Sequence, residues 1–315
     1  MLDIQYLLFL QRLRELSGGV FDEVFNDISK IALDVLFYLP FVIYWAIDKE
    51  WGKRFIGVMQ GSELVNSLVK LTVCAYRPWI RSDLIEPAGD SKVAATGYSF
   101  PSGHTNRAAA VLGTTAVWQY KKRRWLAILS AIGILLTGFS RNFLGVHTPQ
   151  DVLVGFLLSI IAIFVVGKIL NCVKGKDKLA DILTFAGLVF VAAAIVYIKF
   201  KPYPMDYVDG KLLADPEKLM NDAFKICGSF SALLLGLYID RHYIHYEIPV
   251  GHKNLPVLTA VGLGIYASWK IYLSKTLLVT PLGGHLGNFI AYFIGGILAM
   301  VIIPIFITKF TKNEE

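Results

Sequence analysis

The sequence predicts an all-α, polytopic membrane helix bundle, and three observations predict it. Hydrophobic residues make up 55% of the 315 residues and only 17% are charged, against roughly 25% in an average soluble domain. The mean hydropathy is +0.54. Apolar runs near the ~20 residues a helix needs to cross the hydrocarbon core recur along the whole chain, separated by short polar gaps. Two soluble domains of this total length would not be patterned in this way.

The elements follow in order. Residues 1–30 begin with Leu2, Leu7, Leu10 and Leu13 mixed with Gln5, Arg12, Arg14 and Glu15. That mixture suits an amphipathic helix lying on a membrane surface, and no small-residue cleavage site marks it as a signal peptide. Nine spans are expected: Ile31–Ile47, Phe55–Tyr76, Thr105–Tyr120, Trp125–Phe139, Val152–Leu170, Leu179–Ile198, Ala223–Ile239, Leu255–Leu273 and Leu286–Thr308. The chain therefore reads as an interfacial segment (1–30), a first set of helices (31–170) and additional transmembrane helices (171–315). The net charge of +7 does not point to nucleic acid, because the lysines and arginines sit in short gaps between spans. The gaps Lys49–Arg54, Lys121–Arg124 and Lys168–Lys178, and the tail with Lys309 and Lys312, all fall on one side, which the positive-inside rule makes cytoplasmic. The gaps Arg77–His104 and Ser140–Asp151 then face the extracytoplasmic side.

Three polar clusters border those two gaps. In the first, Lys70 lies in an apolar helix, where a charge is expensive and marks function. Arg77 lies seven residues on, about two helical turns along the same face. Pro78 is expected to end the span at Arg77. Snorkelling of both cations to the headgroups is the alternative. The second cluster is Phe100-Pro101-Ser102-Gly103-His104. Pro and Ser are helix-entry signals. Free N–H groups at a helix start favour a bound phosphate, Gly lets the backbone approach closely, and His104 adds a titratable group. An ordinary cap with an incidental histidine is the competing reading. The third cluster runs from Ser140-Arg141 to His147-Thr148-Pro149-Gln150-Asp151. Thr148 caps the next helix, and Asp151 is favoured in the first turn by the dipole. Alternatively, Asp151 holds one nitrogen of His147 and makes the other a better nucleophile. Arg141 supplies a planar fork suited to phosphate oxygens.

Lys-x6-Arg-Pro, Pro-Ser-Gly-His and Ser-Arg-x5-His-x3-Asp, in this order, resemble the three-part signature of the type 2 phosphatidic acid phosphatase superfamily at every motif position. The resemblance implies a six-helix phosphatase core plus about three extra C-terminal transmembrane helices. It implies that His147 attacks phosphorus, Asp151 supports it and His104 protonates the leaving oxygen. Lys70, Arg77, Ser102, Gly103 and Arg141 would hold the phosphoryl oxygens. It implies no metal and no cofactor. The implied substrate is a membrane lipid phosphate: phosphatidic acid, phosphatidylglycerophosphate, or a polyprenyl or sphingoid-base phosphate. A sugar phosphate, on a layout similar to that of glucose-6-phosphatase, and transfer to an acceptor other than water are the alternatives. A transporter or scramblase would need none of the three clusters.

The remaining conspicuous residues have plainer readings. His242, His245, His252 and His285 suit loop or headgroup contacts. Trp79, Tyr98 and Phe100 suit an interfacial aromatic belt or a substrate entrance. Asp34 caps or pairs within the first span. Cys74, Cys172 and Cys227 have no metal or disulfide spacing. Nothing in the sequence fixes the oligomeric state.

Overall fold

The computed structural model describes residues 2–95, 97–208 and 210–312; the side chains of residues 32–34, 94, 211 and 312, and with them the expected role of Asp34, lie outside that description. The helices are α1 (Leu2–Leu16), α2 (Asp22–Ala46), α3 (Lys49–Val73), the short α4 (Pro78–Arg81) and α5 (Ser91–Ala94), α6 (Gly103–Gln119), α7 (Arg124–Phe143), α8 (Pro149–Val173) and α9 (Asp177–Phe200). A two-residue hairpin pairs Tyr207 with Leu212 and Val208 with Lys211. Then come α10 (Pro216–Ile239), α11 (Leu255–Ser268), α12 (Thr280–Leu282), α13 (Gly284–Ile297) and α14 (Ile303–Lys312). Four π-helical turns extend the late helices, at Asp240–Ile244, Trp269–Leu273, Lys275–Val279 and Leu298–Ile302.

Every expected span overlaps a helix, but Phe55–Tyr76 runs past the end of α3 at Val73. Seven helices among the described residues are long and apolar enough to cross a membrane. The two others are α3, with Lys53, Arg54, Glu63 and Lys70 along it, and the 17-residue α6. Many large apolar side chains of the seven are exposed, among them Leu153, Ile161 and Phe164 on α8 and Ile182, Phe185 and Val189 on α9. A water-soluble protein does not carry so large an apolar surface. The chain is an integral membrane protein built as an all-α bundle.

The chain divides into two compact units. The first comprises Met1–Phe37, Val65–Phe164 and Pro202–Leu219. Within it, the start of α6 crosses the start of α8 at Gly155, where a Cβ would stand 2.5 Å from the Ser102 carbonyl oxygen. The contact is sealed by Asn106, whose Nδ2 donates to Gly155 O at 3.2 Å and to Ser159 Oγ at 2.8 Å. Ala88, Ala95, Leu144 and Val146 form a small core beneath the loops, with Phe25 and Trp79 packed against it. The hairpin loop joins this unit through a hydrogen bond from Tyr76 Oη to Asp206.

The second unit comprises Tyr38–Leu64, Val165–Lys201 and Met220–Glu315. Glycines again permit close helix crossings, as the small-residue interfaces of membrane bundles do. A Cβ on Gly228 would collide with the Phe289 carbonyl oxygen. Buried Asp240 is paired with Lys49 at 2.8 Å and accepts the Tyr246 N–H at 2.9 Å.

Candidate active site

All eight residues singled out by the three clusters lie in the first unit. Thr148 and Asp151 form a reciprocal cap at the start of α8. The Thr148 N–H donates to Asp151 Oδ2 at 2.8 Å, and the Asp151 N–H donates to Thr148 Oγ1 at 3.4 Å. The same Oδ2 lies 3.3 Å from His147 Nδ1. One carboxylate oxygen thus caps α8 and also contacts His147.

His147 is buried, and its two nitrogens have different partners. Arg77 Nη1 lies 2.9 Å from Nε2. A guanidinium only donates, so Nε2 must accept and the ring proton sits on Nδ1, facing Asp151. In that tautomer Nε2 carries the free lone pair. Burial, and then the charges of Arg77, Arg141 and Lys70, hold the His147 imidazole well below the usual 6.5. The ring is therefore neutral at neutral pH.

Arg77 reaches this position from a loop rather than from a helix face. The expected two-turn alignment of Lys70 and Arg77 does not occur, because α3 ends at Val73. Cys74 follows in the left-handed region at φ 52°, and the chain then runs extended, with Ala75 O accepting from Ser99 N at 2.7 Å. Arg77 becomes the cap of α4, as Pro78 at the first position of that helix favours. Its Nε donates to Gly97 O at 3.1 Å and its Nη1 to Val146 O at 2.8 Å.

Lys70 stays on α3, and its ammonium holds the chain just before the second cluster. Nζ donates to the carbonyls of Tyr98 at 3.2 Å, Ser99 at 3.2 Å and Pro101 at 2.7 Å. Tyr98 is fully buried, so it belongs to the interior of this loop and not to an interfacial belt. Ser102 caps α6, its Oγ accepting from the Thr105 N–H at 3.4 Å, while its own N–H donates to Asp151 O at 2.9 Å. A side chain on Gly103 would meet nothing within 4 Å, so this residue fronts open space. His104, one residue on, lies in the field of Arg141, His147, Arg107 and Arg77.

Arg141 is 2% exposed, and its Nε has no hydrogen-bond partner. An unpaired donor on a buried cation is costly unless an anion completes it. Ser99 was not singled out by the sequence. Its hydroxyl donates to Asp151 Oδ2 at 2.5 Å, so that oxygen receives three donors. Its position immediately before the Phe-Pro-Ser-Gly-His run was the only available signal.

Among the described residues no group of three or more His, Cys, Asp or Glu could hold a metal. His242 pairs with Asp181 at 3.0 Å, and His285 stacks on Phe224 with centroids 4.9 Å apart.

A membrane helix bundle with a buried histidine–carboxylate pair beside fixed guanidinium groups is equipped for phosphoryl transfer. Residues 51–172 match the model of the PAP2 superfamily. The chain is 29% identical over 170 residues to phosphatidylglycerophosphatase B of Bacillus subtilis, covering 50% of this chain and 75% of the relative. It is 32% identical over 96 residues to the undecaprenyl-diphosphatase of Sulfolobus acidocaldarius, covering 30% and 43%. It is 24% identical over 227 residues to sphingosine-1-phosphate phosphatase 1 of Rattus norvegicus, covering 68% and 50%. The chain thus spans half or less of the last two relatives. No solved structure matches it.

Proposed function

We propose that the protein hydrolyses the phosphomonoester or diphosphate of a membrane lipid through a phosphohistidine formed on His147, on the extracytoplasmic side. The observation that carries this reading is the buried Arg141 Nε without a partner, close enough to His147 to shift its ionisation. A phosphate group would complete it. The three relatives, named for a phosphatidylglycerol phosphate, a polyprenyl diphosphate and a sphingoid-base phosphate, support a lipid substrate.

Phosphoryl transfer is mainly positioning and stabilisation of charge on the equatorial oxygens. In this reading the phosphate enters over Gly103 and takes hydrogen bonds from Arg141, Arg77 and the free N–H groups at the α6 start. Arg77 is then drawn off Nε2, whose lone pair attacks phosphorus. Lys70 adds positive charge and fixes the loop that carries Ser102. As the N–P bond forms, the P–O bond to the lipid breaks, and His104 gives its proton to the departing oxygen. The ring now bears Nδ1–H and phosphorylated Nε2 and is cationic, and the Asp151 carboxylate balances it. Water next attacks phosphorus, His104 takes its proton, and the N–P bond breaks to restore neutral His147. The basic loops on the opposite side support the assigned orientation. In the chain, segment 1–30 precedes the catalytic core and the helices after residue 170 follow it.

One preparation tested on several substrates examines this reading. Purified protein in detergent is given phosphatidic acid, phosphatidylglycerophosphate, polyprenyl diphosphate, sphingosine phosphate and glucose 6-phosphate. Release of inorganic phosphate from lipids, with His147→Ala inactive and free of acid-labile label, is the expected result. Preference for the sugar phosphate would replace the substrate class. Transfer to an added alcohol without phosphate release would make the protein a phosphotransferase. No reaction with any of them would overturn the enzymatic reading.

A further inference from the structure

Helix α1 uses one of its two apolar faces within the first unit. Leu7 and Leu10 are buried, and the polar residues of that face grip neighbouring loops. Asp3 pairs with Arg81 at 2.7 Å. Arg14 Nη2 donates to Glu86 O at 2.5 Å and its Nη1 to Phe143 O at 3.4 Å, while Gln11 Oε1 accepts the Glu86 N–H at 2.9 Å. Leu2, Tyr6, Phe9, Leu13 and Leu16 recur at spacings of four and three, which puts them on one stripe of the helix. All five are exposed, Leu2 at 82% and Leu16 at 85%. Gln5 and Arg12, also exposed, border this stripe on the side away from buried Leu7 and Leu10, and exposed Glu15 lies further round on the same polar side.

A stripe of this size would be unstable in water, and its neighbour indicates what covers it. Helix α1 packs on α7, a candidate membrane span whose Ile132, Leu135, Leu136 and Phe139 are exposed. Exposed Val20, Phe21 and Val24 extend the apolar surface beyond the end of α1. The α1 stripe therefore continues a surface that faces lipid.

We propose that α1 is seated in the bilayer interface on the side of the catalytic pocket, with this stripe in the acyl chains and Arg12 and Glu15 among the headgroups. Its occupant is a phospholipid surface, and the polar grip on Arg81, Glu86 and Phe143 ties the loops around Arg141 and His147 to that surface. A charged or polar edge beside an apolar stripe is the pattern of helices that lie in this plane. The proposal is independent of the substrate assigned above.

The test is spin-label accessibility in protein reconstituted into phosphatidylcholine–phosphatidylglycerol vesicles. Labels are placed at Phe9→Cys, Leu13→Cys, Arg12→Cys and Glu15→Cys in a Cys172→Ser background, since Cys74 and Cys227 are buried. Positions 9 and 13 should be more accessible to oxygen than to a water-soluble nickel chelate, with the order reversed at 12 and 15. Leu16→Cys, on a side chain almost fully exposed, gives a further stripe position should a mid-helix label perturb folding. Access of the chelate to 9, 13 and 16 would overturn the proposal. Shielding from both reagents with dipolar broadening between labels would assign the stripe to a second copy of the chain instead.

Discussion

Replacing Asp151 by Asn removes a charge while leaving almost every contact in place. Oδ2 accepts from Ser99 Oγ, the Thr148 N–H and His147 Nδ1 at 2.5, 2.8 and 3.3 Å. Only the oxygen of the new amide can face three donors, so the substituted side chain is locked with its carbonyl toward His147 and the ring keeps its tautomer. What changes is the stabilisation of positive charge on the ring as the N–P bond forms. A unit charge pair at the 3.3 Å separation is worth about 5 kcal/mol at an effective dielectric constant of ~20. A full charge in the transition state would therefore cost the variant up to about 5,000-fold, and half a charge about 70-fold. Asp151 does not touch the phosphate, so KM should change little. The assay is rapid quench with labelled lipid phosphate, reading acid-labile label on the protein. A phosphorylation rate between about 70- and 5,000-fold below wild type is expected. A variant within threefold of wild type would refute the role given to the carboxylate, and a large rise in KM at normal turnover would move Asp151 from the nucleophile to substrate binding.

Three further outcomes follow from the same geometry. In the proposed mechanism the neutral form of His147 is the nucleophile, and burial with Arg77, Arg141 and Lys70 depresses its ionisation below 6.5. The kcat/KM of the wild type should therefore not fall with His147 protonation until the pH is below 6.5. Arg77→Gln removes the cation 2.9 Å from Nε2 and should move the acid limb up toward 6.5 on the same substrate; a limb that stays put would exclude Arg77 as a cause. Gly155→Ala would drive a methyl to within 2.5 Å of Ser102 O, where no flexible side chain can yield. Overpacking of this kind costs about 1–3 kcal/mol, so the melting temperature in detergent should drop by several degrees, and activity should fall with it because Ser102 N is bonded to Asp151 O. An unchanged melting temperature would mean that α6 and α8 do not cross so closely. Finally, in the proposed mechanism the positive charge of Lys70, Arg77 and Arg141 does the work of a metal, so activity should persist in excess EDTA. Loss in EDTA with recovery on adding magnesium would contradict that assignment.

The parts of this molecule that were legible in the sequence are those whose signals are local. A span is read from its own run of about 20 residues, so each of the nine expected spans overlaps a helix, although Phe55–Tyr76 runs past the end of α3 at Val73. The cap of α8 is read from Thr148, Pro149 and Asp151 alone, and Ser102 announces the start of α6 in the same way. The competing explanations offered for Asp151 could not be separated by sequence, because a capping carboxylate and a histidine partner require the same residue four positions from His147. One oxygen makes both contacts, which no spacing argument requires.

What escaped the sequence depends on contacts between distant segments. The periodicity of α3 runs on through Arg77, but the helix stops at Val73 because the pairing of Ala75 with Ser99 pulls the following chain into an extended path. That early stop lets Arg77 approach His147 from the α4 side while Lys70 stays behind on the helix. Two cations that sequence periodicity assigns to one face consequently divide the work: Arg77 contacts the histidine, and Lys70 is occupied by three carbonyls at positions 98, 99 and 101. Ser99 is invisible to motif reading for the same reason, since its hydroxyl acquires meaning only when the loop held by Lys70 is laid against the start of α8. Its carbonyl is bound to Lys70 and its hydroxyl to Asp151, so one residue links the first cluster to the third. Between them stands the second cluster, whose Ser102 N–H is also bound to the Asp151 carbonyl. The second and third motifs therefore meet at residue 151 through backbone as well as side chain, and the first reaches His147 both directly, through Arg77, and by way of Lys70, Ser99 and the Asp151 carboxylate.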